Sequence, residues 1–141
     1  MYTVANHVGR LVEVTLASPL TLDEVQSFVR DNVAVMKTIA GNFVGVADLR
    51  GAHVFPAEVA DRLIQLLSAN SSQVERSAML IGDSATFAIQ VERVIRTANH
   101  PNRKIFRNPG EMVAWLNEVL TVAEQEQLQQ FLRSATDNGR R

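Results

Sequence analysis

Along this chain the spacing of apolar residues switches repeatedly between two and three-to-four, and each switch marks an element. Tyr2–Ala5 and Arg10–Leu16 are short β-branched stretches around Asn6-His7-Val8-Gly9, which predicts a hairpin. In the second stretch Val12, Val14 and Leu16 alternate with Glu13 and Thr15, the pattern of a half-buried strand. Thr21 and Glu24 have the spacing of a capping box, and Val25, Phe28, Val29, Val33, Met36 and Ile39 then recur at helical intervals up to Gly41. Phe43–Ala47 is almost continuously apolar, as on a strand covered on both faces. Pro56, with its fixed φ and no N–H, suits the first turn of a helix whose stripe is Val59, Ala60, Leu63, Leu66 and Leu67. The polar run Ser68–Gln73 ends it.

Arg76–Ile81 predicts another strand, closed by Gly82-Asp83-Ser84. Asp83 or Ser84 caps a helix with Phe87, Ala88, Val91, Val94, Ile95 and Ala98 on its buried side. His100–Arg103 reads as a turn and Lys104–Phe106 as a short last strand. Asn108, Pro109 and Glu111 form a capping box ahead of Met112, Val113, Trp115, Leu116, Val119 and Leu120. Thr121 and Glu124 repeat that signal before a terminal helix carrying Leu128, Phe131 and Leu132. Residues 135–141 are polar and predict a frayed tail. The order is β-β-α-β-α-β-α-β-α-α. It predicts an α/β fold with a single mixed, mostly parallel sheet of about five strands, an antiparallel leading hairpin and flanking helices.

A chain of 141 residues forms one domain, here spanning 1–134 with an added C-terminal helix from about 121. Its 46% hydrophobic and 21% charged composition excludes disorder across the body. No run is long enough to cross a membrane and no secretory signal opens the chain. The absence of cysteine excludes disulfides and thiolate chemistry and fits a cytoplasmic location. The net charge of −1 is unevenly spread: residues 1–92 carry a net −4, whereas Arg93, Arg96, Arg103, Lys104 and Arg107 form a run of +5 without an acid. That run can attract an anionic ligand or an acidic partner. It also suits a solvated helix end, where cations favour the carbonyl pole. Phe106 is the one aromatic residue interleaved with it, so nucleic acid is not expected as a partner.

Little of the candidate chemistry converges. His7, His53 and His100 have no local metal spacing, and the carboxylates are scattered singly, so neither a metal nor a cofactor is expected. Asp48 ends the buried strand with Arg50 two residues on. The pair can bind a polar ligand at the strand exits of an open α/β sheet, or Asp48 can order the loop through backbone N–H bonds. Asp83 and Ser84 are candidates for anion or ligand binding at a helix start, although capping alone explains both. No GxSxG elbow surrounds Ser84 and no phosphate loop occurs, so no enzyme is predicted.

Asn42–Leu67, in which a strand ends in Asp48-Leu49 and leads through GAHVF into a helix, resembles the core of STAS domains, the fold of bacterial anti-sigma-factor antagonists. RSAMLIGDS (Arg76–Ser84) and KIFRNPGEMVAWL (Lys104–Leu116), ending in Ala114-Trp115-Leu116, resemble the STAS-like group related to lipid-binding Sec14 domains. The resemblance spans residues 8–120. Where STAS domains carry a phosphorylatable Asp-Ser pair, this chain has Pro56 and Ala57, followed by Glu58. The resemblance therefore implies a non-enzymatic protein-interaction module of the signalling or regulatory kind, without the phosphorylation switch. Its partner surface would comprise Asp48, Arg50, His53, Phe55, Glu58 and Arg62, although Phe55, like Phe28, Phe87 and Trp115, falls on an apolar face and is most simply core. The alternative is a carrier or sensor of a small apolar or amphiphilic ligand, with the 93–107 cations at its head group. The amphipathic terminal helix must cover its own body or that of another copy, which leaves a homodimer open.

Overall fold

The computed structural model describes residues 1–98 and 101–139. The strands are β1 (Tyr2–Ala5), β2 (Leu11–Leu16), β3 (Phe43–Asp48), β4 (Val74–Leu80) and β5 (Arg103–Phe106). The helices are α1 (Leu22–Met36), α2 (Ala57–Ala69), α3 (Ala85–Ala98), α4 (Pro109–Asn117) and α5 (Val122–Gly139). One mixed sheet holds the strands in the order β1-β2-β3-β4-β5. β1 and β2 are antiparallel, with Tyr2 opposite Leu16, and every later pair is parallel. The predicted order of elements is the observed one.

Sequential strand order has a geometric consequence. Crossovers between neighbouring parallel strands are right-handed, so α1, α2 and α3 all fall on one face of the sheet. There Val25 and Phe28 of α1, Val59 and Leu63 of α2, and Phe87 and Val91 of α3 bury against Val12, Val14 and Met79. The opposite face presents Leu11, Val44, Val46, Ala78 and Leu80, and Met112 and Leu116 of α4 with Leu128 and Leu132 of α5 cover it. The terminal helix thus packs on its own body. Apolar residues on both sides of β3 reflect this double cover.

Local chemistry sets the element ends. The Thr21–Glu24 capping box forms in full, as does that of Thr121 and Glu124, whose backbone and side chain bond reciprocally at 2.8 and 3.2 Å. At Asn108 only the Glu111 N–H bond forms, at 3.0 Å. Pro56 occupies the cap position rather than the first turn, because its ψ of 150° is extended. α1 stops at Met36, before Gly41, whose φ of +83° serves the turn into β3. α5 runs to Gly139, past the start of the expected frayed tail: a growing helix gains one bond per residue, and no proline interrupts it. Residues 140 and 141 and His100 lie outside the described residues.

A buried carboxylate ties the hairpin to the α4–α5 corner. Glu124 is 2% exposed. One of its oxygens accepts the Thr121 N–H and the other accepts the Arg10 N–H at 2.7 Å. Gly9, at φ +58°, is required beside it, since a Cβ there would stand 2.2 Å from Glu124 Oε2. The Arg10 side chain pairs with Glu75 and donates to the Val119 carbonyl at 2.9 Å. Burial alone would raise the Glu124 pKa. The N–H bonds from Thr121 and Arg10, then the Thr121 hydroxyl and the Arg10 guanidinium, reverse this and hold it below the usual carboxylate range.

Two expected outcomes test this packing. Leu128→Ala leaves a cavity under α5 and should cost about 3 kcal/mol in urea unfolding; a loss near zero would mean that α5 does not seal the sheet. Glu124→Gln sets an amide N–H against the Arg10 N–H and should cost about 2 kcal/mol near neutral pH. A carboxylate with a lowered folded-state pKa stabilises the fold above its unfolded pKa and loses that contribution as the pH falls through the folded value. The gap between parent and variant should therefore shrink in acid, and urea titrations that show it widening would contradict the assignment.

Candidate functional site

The parallel register sets Asp48 opposite Leu80, and the Leu49 N–H donates to the Leu80 carbonyl at 2.8 Å, so the exits of β3 and β4 share one rim. Asp48 is buried there and accepts three hydrogen bonds from Arg50. Its Oδ1 accepts the Arg50 backbone N–H and Nε–H, both at 3.0 Å, and its Oδ2 accepts from an Arg50 terminal nitrogen at 2.9 Å. The hydrogen bond to Asp48 raises the Arg50 pKa against the opposing effect of burial. This is the loop-ordering role, and it leaves the carboxylate little capacity for a ligand.

The other residues expected at the rim separate. Phe55 is 6% exposed and packs edge-on against Phe87 with centroids 5.4 Å apart. The Gln90 carboxamide clamps its backbone, accepting the N–H at 2.8 Å and donating to the C=O at 2.9 Å. Phe55 is therefore core, a correction to its expected place on a partner surface: fixing the loop to α3 turns its ring inward. His53 is exposed, with its backbone N–H bound to Ser18 Oγ at 3.0 Å. Glu58 is exposed, and half-buried Arg62 donates to Gln65 at 3.2 Å. Asp83 and Ser84 are exposed; Ser84 Oγ accepts the Phe87 N–H at 3.2 Å and acts as the cap of α3. Among the described residues no three His, Cys, Asp or Glu side chains converge as a metal site would need, and no helix is long and apolar enough to cross a membrane.

A different site lies inside the fold. Between the sheet and α1–α3 is a cavity of about 100 Å³. It exists because small residues occupy the middle of adjacent strands: Gly45 of β3 pairs with Ser77 of β4, which pairs with Arg103 of β5. Phe28, Leu63, Met79 and Val91 supply apolar wall. Asn32 and Arg103, 6% and 5% exposed, supply polar atoms. Asn32 Oδ1 and Arg103 Nε have no hydrogen-bond partner, and they are two of the three buried side-chain atoms so placed among the described residues.

The Arg103 guanidinium is anchored at the carbonyl end of α2. Its terminal nitrogens donate to the Leu67 carbonyl at 2.8 Å, to Asn70 Oδ1 at 2.7 Å and to Ser71 Oγ at 3.3 Å. The helix pole favours a cation there, yet no carboxylate pairs with Arg103 among the described residues. Burial pushes its pKa down. A buried charge of this kind is costly without an anion, and the Nε–H makes no hydrogen bond that would offset the cost. Among the described residues Arg103 is the one titratable side chain lining the cavity, an arrangement that can bind and orient a ligand.

Both polar residues carry a legible signal. Asn32 stands four positions after Phe28 and three after Val29, on the buried stripe where Val33 is expected; Val33 is instead 41% exposed. Arg103 belongs in sequence to the 93–107 run of cations, yet strand alternation sets it on the same face as Ile105. Replacing Asn32 with leucine removes an orphan acceptor and should stabilise the empty protein by about 1 kcal/mol. A lower melting temperature for Asn32→Leu would show that the amide is satisfied. No protein-family model, curated protein or solved structure matches this chain.

Proposed function

We propose that the chain is a non-enzymatic binding module that carries or senses a small, largely apolar molecule bearing an anionic or strongly accepting group. The observation that carries this reading is the buried Arg103, without a carboxylate partner among the described residues, which lines a largely apolar cavity and whose Nε–H is left without a hydrogen bond. Asn32, which lines the same cavity from α1, has an unpartnered Oδ1 that would accept a hydrogen bond from a hydroxyl or protonated group of the ligand. A cavity of about 150 Å³ takes benzene; the smaller volume here suits a short or branched chain over a long acyl tail. Short-chain monocarboxylates have this chemistry.

The STAS-like reading of the chain fits this proposal, as a cytoplasmic module that responds to ligand occupancy in the absence of a phosphorylatable serine. A rim-centred adaptor has less support, since Phe55 lies in the core and the buried Asp48 carboxylate already accepts three hydrogen bonds from Arg50.

Thermal melts with a panel of straight and branched monocarboxylates should show saturable stabilisation, about 2.7 kcal/mol at a hundredfold excess over Kd. Native mass spectrometry of the gently purified protein should show a bound small acid. Arg103→Gln should abolish the stabilisation, and Asn32→Leu, which fills part of the cavity in a well-folded protein, should weaken it. Melts insensitive to every acid, or an Arg103→Gln protein that responds as the parent does, would overturn the reading.

A further inference from the structure

β5 closes one side of the sheet, and among the described residues no strand lies beyond it. Two bonds set the phase of its pairing: the Ser77 N–H donates to the Asn102 carbonyl and the Ile81 N–H to the Phe106 carbonyl, both at 2.9 Å. In a parallel ladder alternate residues bond to the neighbouring strand. Lys104 and Phe106 therefore face β4, and the N–H and C=O groups of Arg103 and Ile105 face outward. Beside this edge, between β5 and α3, runs a groove of about 330 Å³ lined by Glu92, Ile95, Arg96, Arg103, Lys104 and Ile105.

The charge around the groove is mostly positive, with Glu92 the acid among its lining residues. Arg93, Arg96, Lys104 and Arg107 are exposed, and none forms an ion pair with another described residue. Lys104 lies over the Phe106 and Trp115 rings, 5.9 and 5.4 Å from their centroids, which holds its ammonium on the α4 side of the strand. Arg93 and Arg96 stand on α3, on the other side. A strand laid against β5 would direct alternate side chains to these two sides and meet cations on both. Four residues and a lysine are also how proteins blunt an exposed edge. Here those cations repel the like-charged β5 of a second copy, while the outward backbone groups stay open to a segment of opposite sign.

We propose that the outer edge of β5, with the α3 groove beside it, docks an extended acidic segment of a partner protein as a sixth strand. The proposal does not depend on the cavity being occupied. Its test uses the full chain, isotopically labelled, titrated with a capped peptide of about eight residues alternating Glu and Val, and with the Lys–Val counterpart as control. The Glu–Val peptide should shift the Arg103 and Ile105 amide resonances and slow their hydrogen exchange, and the Lys–Val peptide should do neither. An Arg93→Glu, Arg96→Glu double variant, altered only at exposed helix positions, should bind about tenfold more weakly. Ile105→Pro removes an outward N–H without touching the β4 pairing and should abolish binding. Asn32→Leu should leave peptide affinity unchanged, which separates this site from the cavity. Shifts confined to other elements, equal binding of the two peptides, or undiminished affinity in the double variant would each overturn the proposal.

Discussion

Everything in this fold depends on strands that pair in the order in which they are made. Because each parallel crossover moves one place along the sheet with the same hand, three successive helices stack on one side and none reaches the other. A sheet with one bare apolar face cannot persist in water, and the face carrying Leu11, Val44, Val46, Ala78 and Leu80 had to be covered by residues beyond β5. α4 and α5 meet that demand. The Glu124 clasp fixes the corner between them to the β1–β2 turn, so that the cover is held in register and does not merely lie against the sheet.

The same arrangement explains where chemistry is and is not found. Polar side chains at strand exits often belong to sites, but here Asp48 is held by Arg50 and Ser84 caps the start of α3. The less expected chemistry lies deeper, where Gly45 and Ser77 leave space and two polar side chains enter it. Folding normally removes such unpaired atoms, since each costs stability. Two of the three such side-chain atoms among the described residues belong to residues that line this one void.

Much of the architecture was legible in the sequence, because the signals there are local and redundant. The Thr21–Glu24 and Thr121–Glu124 boxes, the alternation of Val12, Val14 and Leu16, and the apolar run of β3 each depend on neighbours within a few residues. The candidate site was not, because it depends on which strands become neighbours. That Gly45, Ser77 and Arg103 would form one row across three strands is a fact of register, and register is set by the whole sheet. Phe55 could be read both as core and as partner surface for a related reason: its inward turn is fixed by Gln90, thirty-five residues away on another helix.

The cover formed by α4 and α5 also sets an order of events. As the chain leaves the ribosome, all five strands and the first three helices emerge before the residues that shield the second sheet face. Until α5 is complete, that face is an open apolar surface on a nearly finished domain, the kind of intermediate on which chaperones act and from which aggregates grow. A helix made after every strand is the one that hides them from water.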